Sequence, residues 1–328
     1  MVGQSRQHAL LLNLLGMKQL IVCVNKMDEK SVEFKEERFE EVKEEVKRML
    51  VAVGWPKLAV DNRIPIIPLS GYKGDNLIKK SDNMPWWKGI DIKIDKTETV
   101  HIDTLHDALD KFVRMPPRPV DKPFRMPVSG VFNIKGIGTV ITGRIEQGIV
   151  KPGQEVKFLP THTATNICTG KVFTIEMHHV QIDQGVPGDN IGINIKGLDK
   201  DRMPSKGDVM VFKNDNTIGI TKRIIAQIQT LNIPNSIKVN YCPIGYVRTA
   251  NVALKLVEIT RIKSKETSNE WSTGLTEIKS NALAEVVFEP TKPFCADQFD
   301  RCEGLSRLAI MEGPGCVALG KIIGVEYQ

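Results

Sequence analysis

A proline-rich segment divides this sequence into two parts of different character. Residues 114–123 read RMPPRPVDKP, and prolines at this density keep a chain extended and interrupt both helices and central strands. Before the segment, short apolar runs alternate with long amphipathic stretches, whereas after it only short alternating stretches between turn signals occur. We therefore predict an α/β domain followed by an all-β region, with the domain boundary in this segment.

The first part has the pattern of a parallel sheet covered by helices. Residues 20–24 (LIVCV) and 64–69 are apolar runs typical of strands that are buried on both faces. Helices are predicted over residues 4–15, ending at Gly16, and over 34–53 and 104–113. The apolar stripes of the latter two helices are Phe39, Val42, Val46, Met49, Leu50 and Val53, and Leu105, Ala108, Leu109, Phe112 and Val113.

The second part consists of short predicted strands separated by turns. Proline and glycine occupy the two central positions of a type II turn in residues 151–154, and further turn signals occur at 187–190 and 205–208. The later strands are predicted over residues 224–230, 247–262, 282–289 and 319–325. About 205 residues follow the boundary, which is enough for two β-barrels of about 100 residues each.

The sequence Asn25-Lys26-Met27-Asp28 directly follows the first predicted strand. This N-K-x-D pattern is suited to reading guanine, because the Asp28 carboxylate can accept hydrogen bonds from N1–H and the 2-amino group. Adenine lacks this pair of donors, and such a polar site can discriminate by about 10⁴–10⁵. The stem of Lys26 can cover the base plane and Asn25 can tie the loop to its surroundings. The alternative is a plain strand-to-helix turn in which Asp28 caps a helix.

A second polar loop, SGYKGDN at residues 70–76, follows the second predicted strand. Its Ser-Gly turn lets backbone N–H groups approach a carbonyl such as guanine O6. Taken alone, each loop has a plain structural alternative. Ligands bind parallel sheets at the carboxyl ends of the strands, so two such loops together favour a nucleotide-base pocket.

The sequence contains neither a G-x-x-x-x-G-K-[ST] phosphate loop nor a D-x-x-G motif ahead of residue 25. These are the parts that hold the phosphates and Mg²⁺ in phosphoryl transfer. We therefore predict base recognition by this chain, and neither catalytic residues nor a metal site.

Other polar or aromatic clusters are weaker signals. The EMHH sequence at residues 176–179 would place two histidines on opposite faces of a strand, so we predict no shared metal. The six cysteines include no C-x-x-C pair, and their thiols are expected to be reduced. The MPWW sequence at residues 84–87 is predicted to serve packing, with a stacking platform for nucleic acid as the alternative.

Composition and charge exclude some classes of protein. No run of about 18 apolar residues occurs and no leader pattern opens the sequence, so we expect a cytoplasmic protein without a membrane partner. The net charge of +6 is compatible with a polyanionic partner without requiring one. Because the charges are spread along the sequence, a folded surface would contact any nucleic acid.

The motifs together resemble the eukaryotic translation elongation factor 1-alpha family. The resemblance extends over essentially the whole chain and is stronger up to about residue 196. It rests on SRQHALL (5–11), KQLIV (18–22), NKMD (25–28), SGYKGDN (70–76), SDNMPWWKG (81–89), RPVDKPFRMP (118–127), GIGTVITGRIEQG (136–148), EMHH (176–179) and PGDNIG (187–192).

The resemblance implies a three-domain translational GTPase. Residues 1–117 would be the C-terminal, base-recognising half of a P-loop-type GTP-binding domain. Residues 118–218 would form a β-barrel for the aminoacyl end of tRNA, and residues 219–328 a β-barrel for tRNA and exchange-factor contacts. The implied function is GTP-dependent delivery of aminoacyl-tRNA to the ribosomal A site by a monomer that a guanine-nucleotide exchange factor recharges.

The resemblance also implies site residues. Residue 72 is usually tryptophan in the family, and Ser129 and Gly130 replace acidic or amide residues near the aminoacyl pocket. The implied positions are Asn25, Lys26, Asp28, Ser70, Gly71 and Tyr72 for guanine, and Phe132, Thr142 and Asn190 for aminoacyl-tRNA.

The sequence departs from the family pattern in two ways. It begins beyond the phosphate loop, both switch segments and the catalytic histidine, so we expect a fragment that does not hydrolyse GTP alone. The intact protein would be a GTPase that uses GTP or GDP with Mg²⁺. In the last domain the family's His-rich segment is replaced at residues 246–251, and expected arginines are replaced at Met311 and Pro314.

Two rival functions remain open from the sequence. One is a ribosome-rescue or termination GTPase of the same superfamily, which Thr142, Asn190 and the proline-rich linker disfavour. The other is a short non-catalytic RNA-binding or cytoskeleton-binding protein with two barrels. In that case the strand at residues 20–24 would lie in a sheet with open edges, which disfavours a stable domain.

Overall fold

The computed structural model describes residues 4–14, 17, 19–94, 98–199, 201–231, 233, 235–264, 267, 270–313 and 315–328. The chain forms two compact units, one ending at Pro116 and the other beginning at Pro117. Gly16, predicted to end the first helix, and Pro314, at a position where the family has arginine, lie outside the described residues.

The first unit contains a short parallel sheet with helices. Strand β1 pairs with β2 in parallel, and its register joins Val22 to Ile66 and Val24 to Pro68. Strands β3 and β4 form a separate antiparallel hairpin. The elements are α1 (Gln4–Leu14), β1 (Val22–Val24), α2 (Glu36–Ala52), α3 (Lys57–Asn62), β2 (Ile66–Pro68), β3 (Ile90–Lys93), β4 (Thr99–Ile102) and α4 (Leu105–Asp107), which a π-helical turn (Ala108–Phe112) continues.

Helix α2 follows the predicted amphipathic pattern. Glu36 and Glu37 lie in its first turn, where negatively charged side chains interact favourably with the positive end of the helix dipole. Phe39 and Leu50 lie on the apolar face of the helix and are buried. This face covers the sheet, so the long helix fixes the strands whose ends carry the two polar loops.

The last helix of the unit differs from its prediction. Thr104 caps it through a capping box with Asp107, but residues 108–112 form a π turn rather than an α turn. A π turn takes more residues per turn, so positions assigned with α-helical spacing lose their phase. Leu109 and Val113, predicted in the buried stripe, are consequently exposed.

The first barrel of the second unit is closed. Its strand order is β10-β6-β5-β11-β7-β8-β9, and β10 also pairs with β8. Within the described ranges, six strands thus form the ring, and β9 extends β8 as a hairpin. The strands are β5 (Met126–Ile134), β6 (Gly138–Arg144), β7 (Glu155–Leu159), β8 (Thr169–Met177), β9 (Val180–Ile182), β10 (Asn190–Lys196) and β11 (Val209–Phe212).

The second barrel closes in the same manner. Its order is β14-β19-β20-β12-β18-β15-β16, with an additional pairing between β14 and β15. The strands are β12 (Thr221–Thr230), β13 (Ile237–Lys238), β14 (Ile244–Val247), β15 (Ala250–Lys263), β16 (Trp271–Ser272), β17 (Glu277–Ile278), β18 (Leu283–Pro290), β19 (Arg307–Glu312) and β20 (Gly315–Tyr327). The predicted fold class, α/β followed by all-β with two barrels, is confirmed.

Two details of the predicted strands are wrong. His178 and His179 do not lie in a strand, because they form the two-residue turn between β8 and β9, with φ angles of 52° and 63°. Positive φ at both positions is the pattern of a type I′ hairpin turn. The strand predicted over 247–262 is in fact part of a hairpin, whose chain reverses at Arg248 with φ of 55°.

The two barrels share a buried boundary. Leu159 and Val211 of the first barrel pack in one cluster with Cys302 and Leu305 of the second. At its edge, Arg248 Nε donates to Glu146 Oε1 over 2.6 Å. The barrels are therefore joined by an apolar layer and by the Arg248–Glu146 ion pair.

Candidate functional site

The two polar loops lie at the same edge of the sheet in the first unit. The parallel register places Val24, which precedes Asn25, beside Pro68, and Ser70 follows two residues later. The amide of Met27 donates to the carbonyl of Leu69 over 3.2 Å, which joins the loops by their backbones.

Two side-chain hydrogen bonds tie the loops together. Ser70 Oγ donates to Asp28 Oδ1 over 2.6 Å, and the Gly71 amide donates to Asn25 Oδ1 over 2.9 Å. A Cβ atom at Gly71 would lie 3.4 Å from Asn25 Oδ1, which is an ordinary van der Waals contact. Because the Gly71 amide is engaged by Asn25, it would have to exchange this partner to donate to guanine O6.

These residues line a cavity of about 280 Å³. Asp28 is half-buried, while the ring of Tyr72 is 92% exposed. Lys26 has a φ of 64°, a left-handed conformation that is uncommon for a lysine. Of the predicted guanine positions, all but Ser70 line the cavity directly, and its lining is Asn25, Lys26, Asp28, Glu29, Gly71 and Tyr72.

Asn76 supports the second loop, and sequence reasoning missed this role. Its side chain is fully buried, and Nδ2 donates to the Pro68 carbonyl over 3.0 Å. Its Oδ1 accepts from the Ser81 amide over 2.8 Å. Asn76 has a φ of 56°, and an asparagine that closes a Gly-Asp-Asn turn was the available sequence signal.

The predicted aminoacyl-tRNA positions share one outer face of the first barrel. Thr142 on β6 pairs with Gly130 on β5 and with Gly192 on β10. Paired residues project to the same side of a sheet, and so do residues two positions apart on a strand. Phe132 and Asn190 each lie two residues from one of these glycines, so both project to the same side as Thr142.

The two glycines leave a shallow depression around Thr142. Ser129 Oγ lies 3.1 Å from Thr142 Oγ1. A Cβ atom at Gly130 would lie 2.7 Å from the Phe132 ring, which shows that the ring covers this glycine. Phe132 is itself 53% exposed, so it forms an apolar wall of the depression.

Two further residues complete the rim. Glu176 pairs with Gly192 across β8 and β10, and Arg144 pairs with Asn190 across β6 and β10. Glu176 belongs to the EMHH sequence. The sequence signal for its place at the rim was that EMHH ends a predicted strand, as PGDNIG begins one. We define the Thr142 depression as these eight residues: Ser129, Gly130, Phe132, Thr142, Arg144, Glu176, Asn190 and Gly192.

Throughout the described ranges, no group of three or more histidine, cysteine or acidic residues has a geometry that could hold a metal ion. Among the same residues, no helix combines the length and apolar character needed to cross a membrane.

Comparison with known families assigns both parts of the chain. The Elongation factor Tu GTP binding domain family matches residues 1–115. Elongation factor Tu domain 2 matches residues 138–211, and the GTP-eEF1A C-terminal domain-like family matches residues 223–323.

Curated relatives narrow the assignment. Elongation factor 1-alpha of Blastocystis hominis is 40% identical over 320 residues, which cover 98% of this chain and 68% of the relative. The chain belongs to the elongation factor 1-alpha family. The Saccharomyces cerevisiae member is 38% identical over 99% of this chain and 68% of its own length, and the Methanopyrus kandleri member is 38% identical over 99% and 73%.

Two solved structures are also similar to this chain. The chain is similar to sup35 complexed with GDP, with a TM-score of 0.56 and 27% identity over 99% of this chain and 74% of that one. The GMPPNP complex of sup35 gives a TM-score of 0.57 with 26% identity, and the match covers 99% of this chain and 73% of that one. The elongation factor 1-alpha family consists of translation elongation GTPases, so the predicted family and function are confirmed over the two rival functions. The α/β unit is accordingly part of a GTP-binding domain.

Proposed function

We propose that the loops at residues 25–28 and 70–72 form the guanine-binding pocket of this elongation factor. The Ser70–Asp28 and Gly71–Asn25 hydrogen bonds carry this proposal, because they bring both loops to one cavity with the Asp28 carboxylate on its wall. Asp28 Oδ2 would accept from the base while Oδ1 keeps the bond from Ser70. The nucleotide that this pocket serves is GTP or GDP.

The proposal for this chain is base recognition and does not include hydrolysis. The 328-residue sequence contains no phosphate-loop motif. Among the residues that the structure describes, no three or more histidine, cysteine or acidic residues are placed to hold a metal ion together. We derive no step through Mg²⁺. GTP hydrolysis is the activity of the family.

We further propose that the Thr142 depression receives the aminoacyl end of tRNA. Gly192 leaves room on its floor for a flat or extended group, and the Phe132 ring offers an apolar wall. Ser129, Asn190 and Arg144 offer hydrogen-bonding groups at the rim. On this proposal the protein delivers aminoacyl-tRNA to the ribosome in the cytoplasm as a monomer, and an exchange factor recharges it. The three-domain division at residues 117 and 218 belongs to the same proposal.

Replacing Asp28 by asparagine tests the guanine pocket. An amide donates where the carboxylate accepts, so Asp28→Asn should lose affinity for GDP and gain affinity for xanthosine diphosphate, which has a carbonyl in place of the 2-amino group. Each hydrogen bond to a charged group contributes about 1.5–3 kcal/mol, so we expect at least a tenfold loss for GDP. The measurement is an NMR titration of the 328-residue chain with both nucleotides.

Asp82→Asn is the matched control, because Asp82 is exposed and lies outside the cavity. If Asp28→Asn binds GDP as the unmodified chain does, this loop does not read the base.

A further inference from the structure

The Trp86 indole is connected to both proposed base-binding loops through a single residue, Phe34. Trp86 Nε1 donates to the Phe34 carbonyl over 2.8 Å. The Trp86 ring packs against Phe39, with 5.5 Å between ring centroids, and against Trp87 at 6.4 Å. Phe39 is fully buried on α2, so the indole is fixed to the body of the unit.

Phe34 occupies a backbone conformation that requires support. Its φ is 57°, and that of the preceding Glu33 is 51°. Non-glycine residues rarely adopt the left-handed region, so two of them in succession need contacts that hold them there. The Phe34 amide donates to the Met27 carbonyl over 2.8 Å, and the indole N–H secures its carbonyl, so both backbone polar groups of Phe34 are engaged.

The Phe34 ring also contacts the other loop. Lys73 Nζ lies 5.6 Å from the ring centroid, within the range of a cation–π interaction. The Lys73 amide donates to Ser70 Oγ over 3.0 Å, and the same hydroxyl donates to Asp28 Oδ1 over 2.6 Å.

These contacts form a closed circuit around the base-reading carboxylate. From Phe34 one route reaches Asp28 through Met27, its neighbour in the chain. The other route reaches Asp28 through Lys73 and Ser70. A shift of Phe34 would therefore move the carboxylate from both sides, and the Trp86 N–H is the contact that holds the Phe34 carbonyl.

We propose that Trp86 is a positioning residue for the guanine pocket, acting through Phe34 on both loops. The inference rests on the proposed function of these loops. It gives the MPWW sequence a role that neither packing alone nor a nucleic-acid stacking platform supplies, because the polar edge of the indole is committed to the loop.

The neighbouring tryptophan provides a matched control. Trp86→Phe keeps an aromatic ring against Phe39 but removes the N–H donor. Trp87→Phe likewise removes one N–H, which donates to the Asp103 carbonyl over 2.8 Å and not to either base-binding loop. Lys73→Met tests the second route at an exposed position where folding is not at risk.

Amide hydrogen exchange and GDP titration of the 328-residue chain, both followed by NMR, test the proposal. In Trp86→Phe, exchange of the Phe34 and Lys73 amides should accelerate about fivefold or more, and GDP affinity should fall by a similar factor, as expected for one lost hydrogen bond. Trp87→Phe should leave both quantities within about twofold. Lys73→Met should weaken GDP binding. It should also accelerate exchange of the Phe34 amide, but by a smaller factor than Trp86→Phe does.

The two readouts separate the two hypotheses. If Trp86→Phe leaves loop exchange and GDP affinity as they are in Trp87→Phe, Trp86 is only a packing residue and the inference is overturned. If the unmodified chain does not bind GDP at all, the proposed function fails. Exchange of the Phe34 amide then decides by itself whether Trp86 orders the loops.

Discussion

At the residue scale, His101 shows how a single side chain links charge to stability. His101 Nδ1 lies 2.7 Å from Asp91 Oδ1, and Nε2 lies 3.5 Å from Asp103 Oδ2. Lys80 Nζ also contacts Asp103, at 2.7 Å. The hydrogen bond with Asp91 raises the pKa of His101 above its usual value, and burial and the Lys80 charge oppose this increase only in part.

The raised pKa predicts a pH-dependent contribution to stability. A group whose pKa is higher in the folded state stabilises that state fully below its unfolded pKa, about 6.5 for histidine, and this contribution is lost as pH rises through the folded value. His101→Gln should therefore lower the melting temperature at pH 5.5 and have little effect at pH 8.5.

His106→Gln is the control for this comparison, because His106 is exposed on the adjacent helix. Equal pH dependence of melting in the unmodified chain and His101→Gln would contradict the assignment.

The sequence predicts the side chains that would read the base, but it does not predict the contacts that hold those side chains in place. Asn25, Asp28 and Ser70 could be identified because their residue types and their positions after apolar strands point to base recognition. The Trp86–Phe34 contact could not, since it depends on a left-handed backbone at a bulky residue, which propensity argues against. The sequence predicts that backbone N–H groups of the Ser-Gly turn approach a guanine carbonyl, and it gives no sign that the Gly71 amide donates to Asn25 Oδ1.

At the element scale, the β8–β9 hairpin and the π turn show where pattern reasoning fails. Alternation of apolar residues identifies strands, but a two-residue turn without glycine gives no signal at His178 and His179. A single π turn likewise changes the exposed face of a helix without changing its apolar composition. Both errors concern local backbone geometry, which the apolar pattern does not encode.

The Thr142 depression predicts the effect of filling its floor. The φ of Gly192 lies outside the left-handed region, and its Cβ would meet only Val140, at 3.4 Å, so a side chain can be accommodated without backbone strain. Gly192→Val should therefore preserve the barrel while occupying the depression. We expect binding of aminoacylated tRNA to weaken at least about tenfold, as for a lost apolar pocket, in filter-binding measurements.

Thr169→Val, at the other end of β8, is the control for this measurement, since it changes size little and lies outside the depression. If Gly192→Val binds aminoacylated tRNA with unchanged affinity, the Thr142 depression does not receive the aminoacyl end.

At the scale of the whole molecule, a buried ion pair supports the arrangement of the second unit. The guanidinium of Arg125, which is 1% exposed, pairs with Asp215 and donates to Thr217 Oγ1 over 2.6 Å. Burial alone would raise the pKa of Asp215, but hydrogen bonds from Arg125 and Thr217 lower it overall. Because Asp215 and Thr217 lie in the segment that joins the barrels, the pair fixes this connection to the first barrel.

Removing one partner of this pair should be more costly than removing both charges. Arg125→Met leaves a buried carboxylate without its partner, and such losses destabilise by about 3–5 kcal/mol. Arg125→Met/Asp215→Asn should recover part of this free energy of unfolding, as measured by urea denaturation followed through the second unit. A double variant that is no more stable than Arg125→Met would contradict the role of charge in this contact.

The order of architectures could be read from the sequence because proline content and hydrophobic periodicity change together at residues 114–123. Closure of the barrels could not be read from the sequence. It depends on strand pairings, such as that of β14 with β15, which become known only from the structure. The family assignment supplied what the patterns could not, namely that the α/β unit is part of a GTP-binding domain.

The central claim is that this chain reads the guanine base, and comparison of three diphosphates tests it most directly. Titrating the 328-residue chain with GDP, inosine diphosphate and ADP, followed by NMR of the Gly71 and Lys73 amides, varies only the base. We predict that GDP binds at least about tenfold more tightly than inosine diphosphate, which lacks the 2-amino group that Asp28 would bind, and that ADP binds more weakly still. Equal affinities for all three would show that the pocket does not recognise guanine.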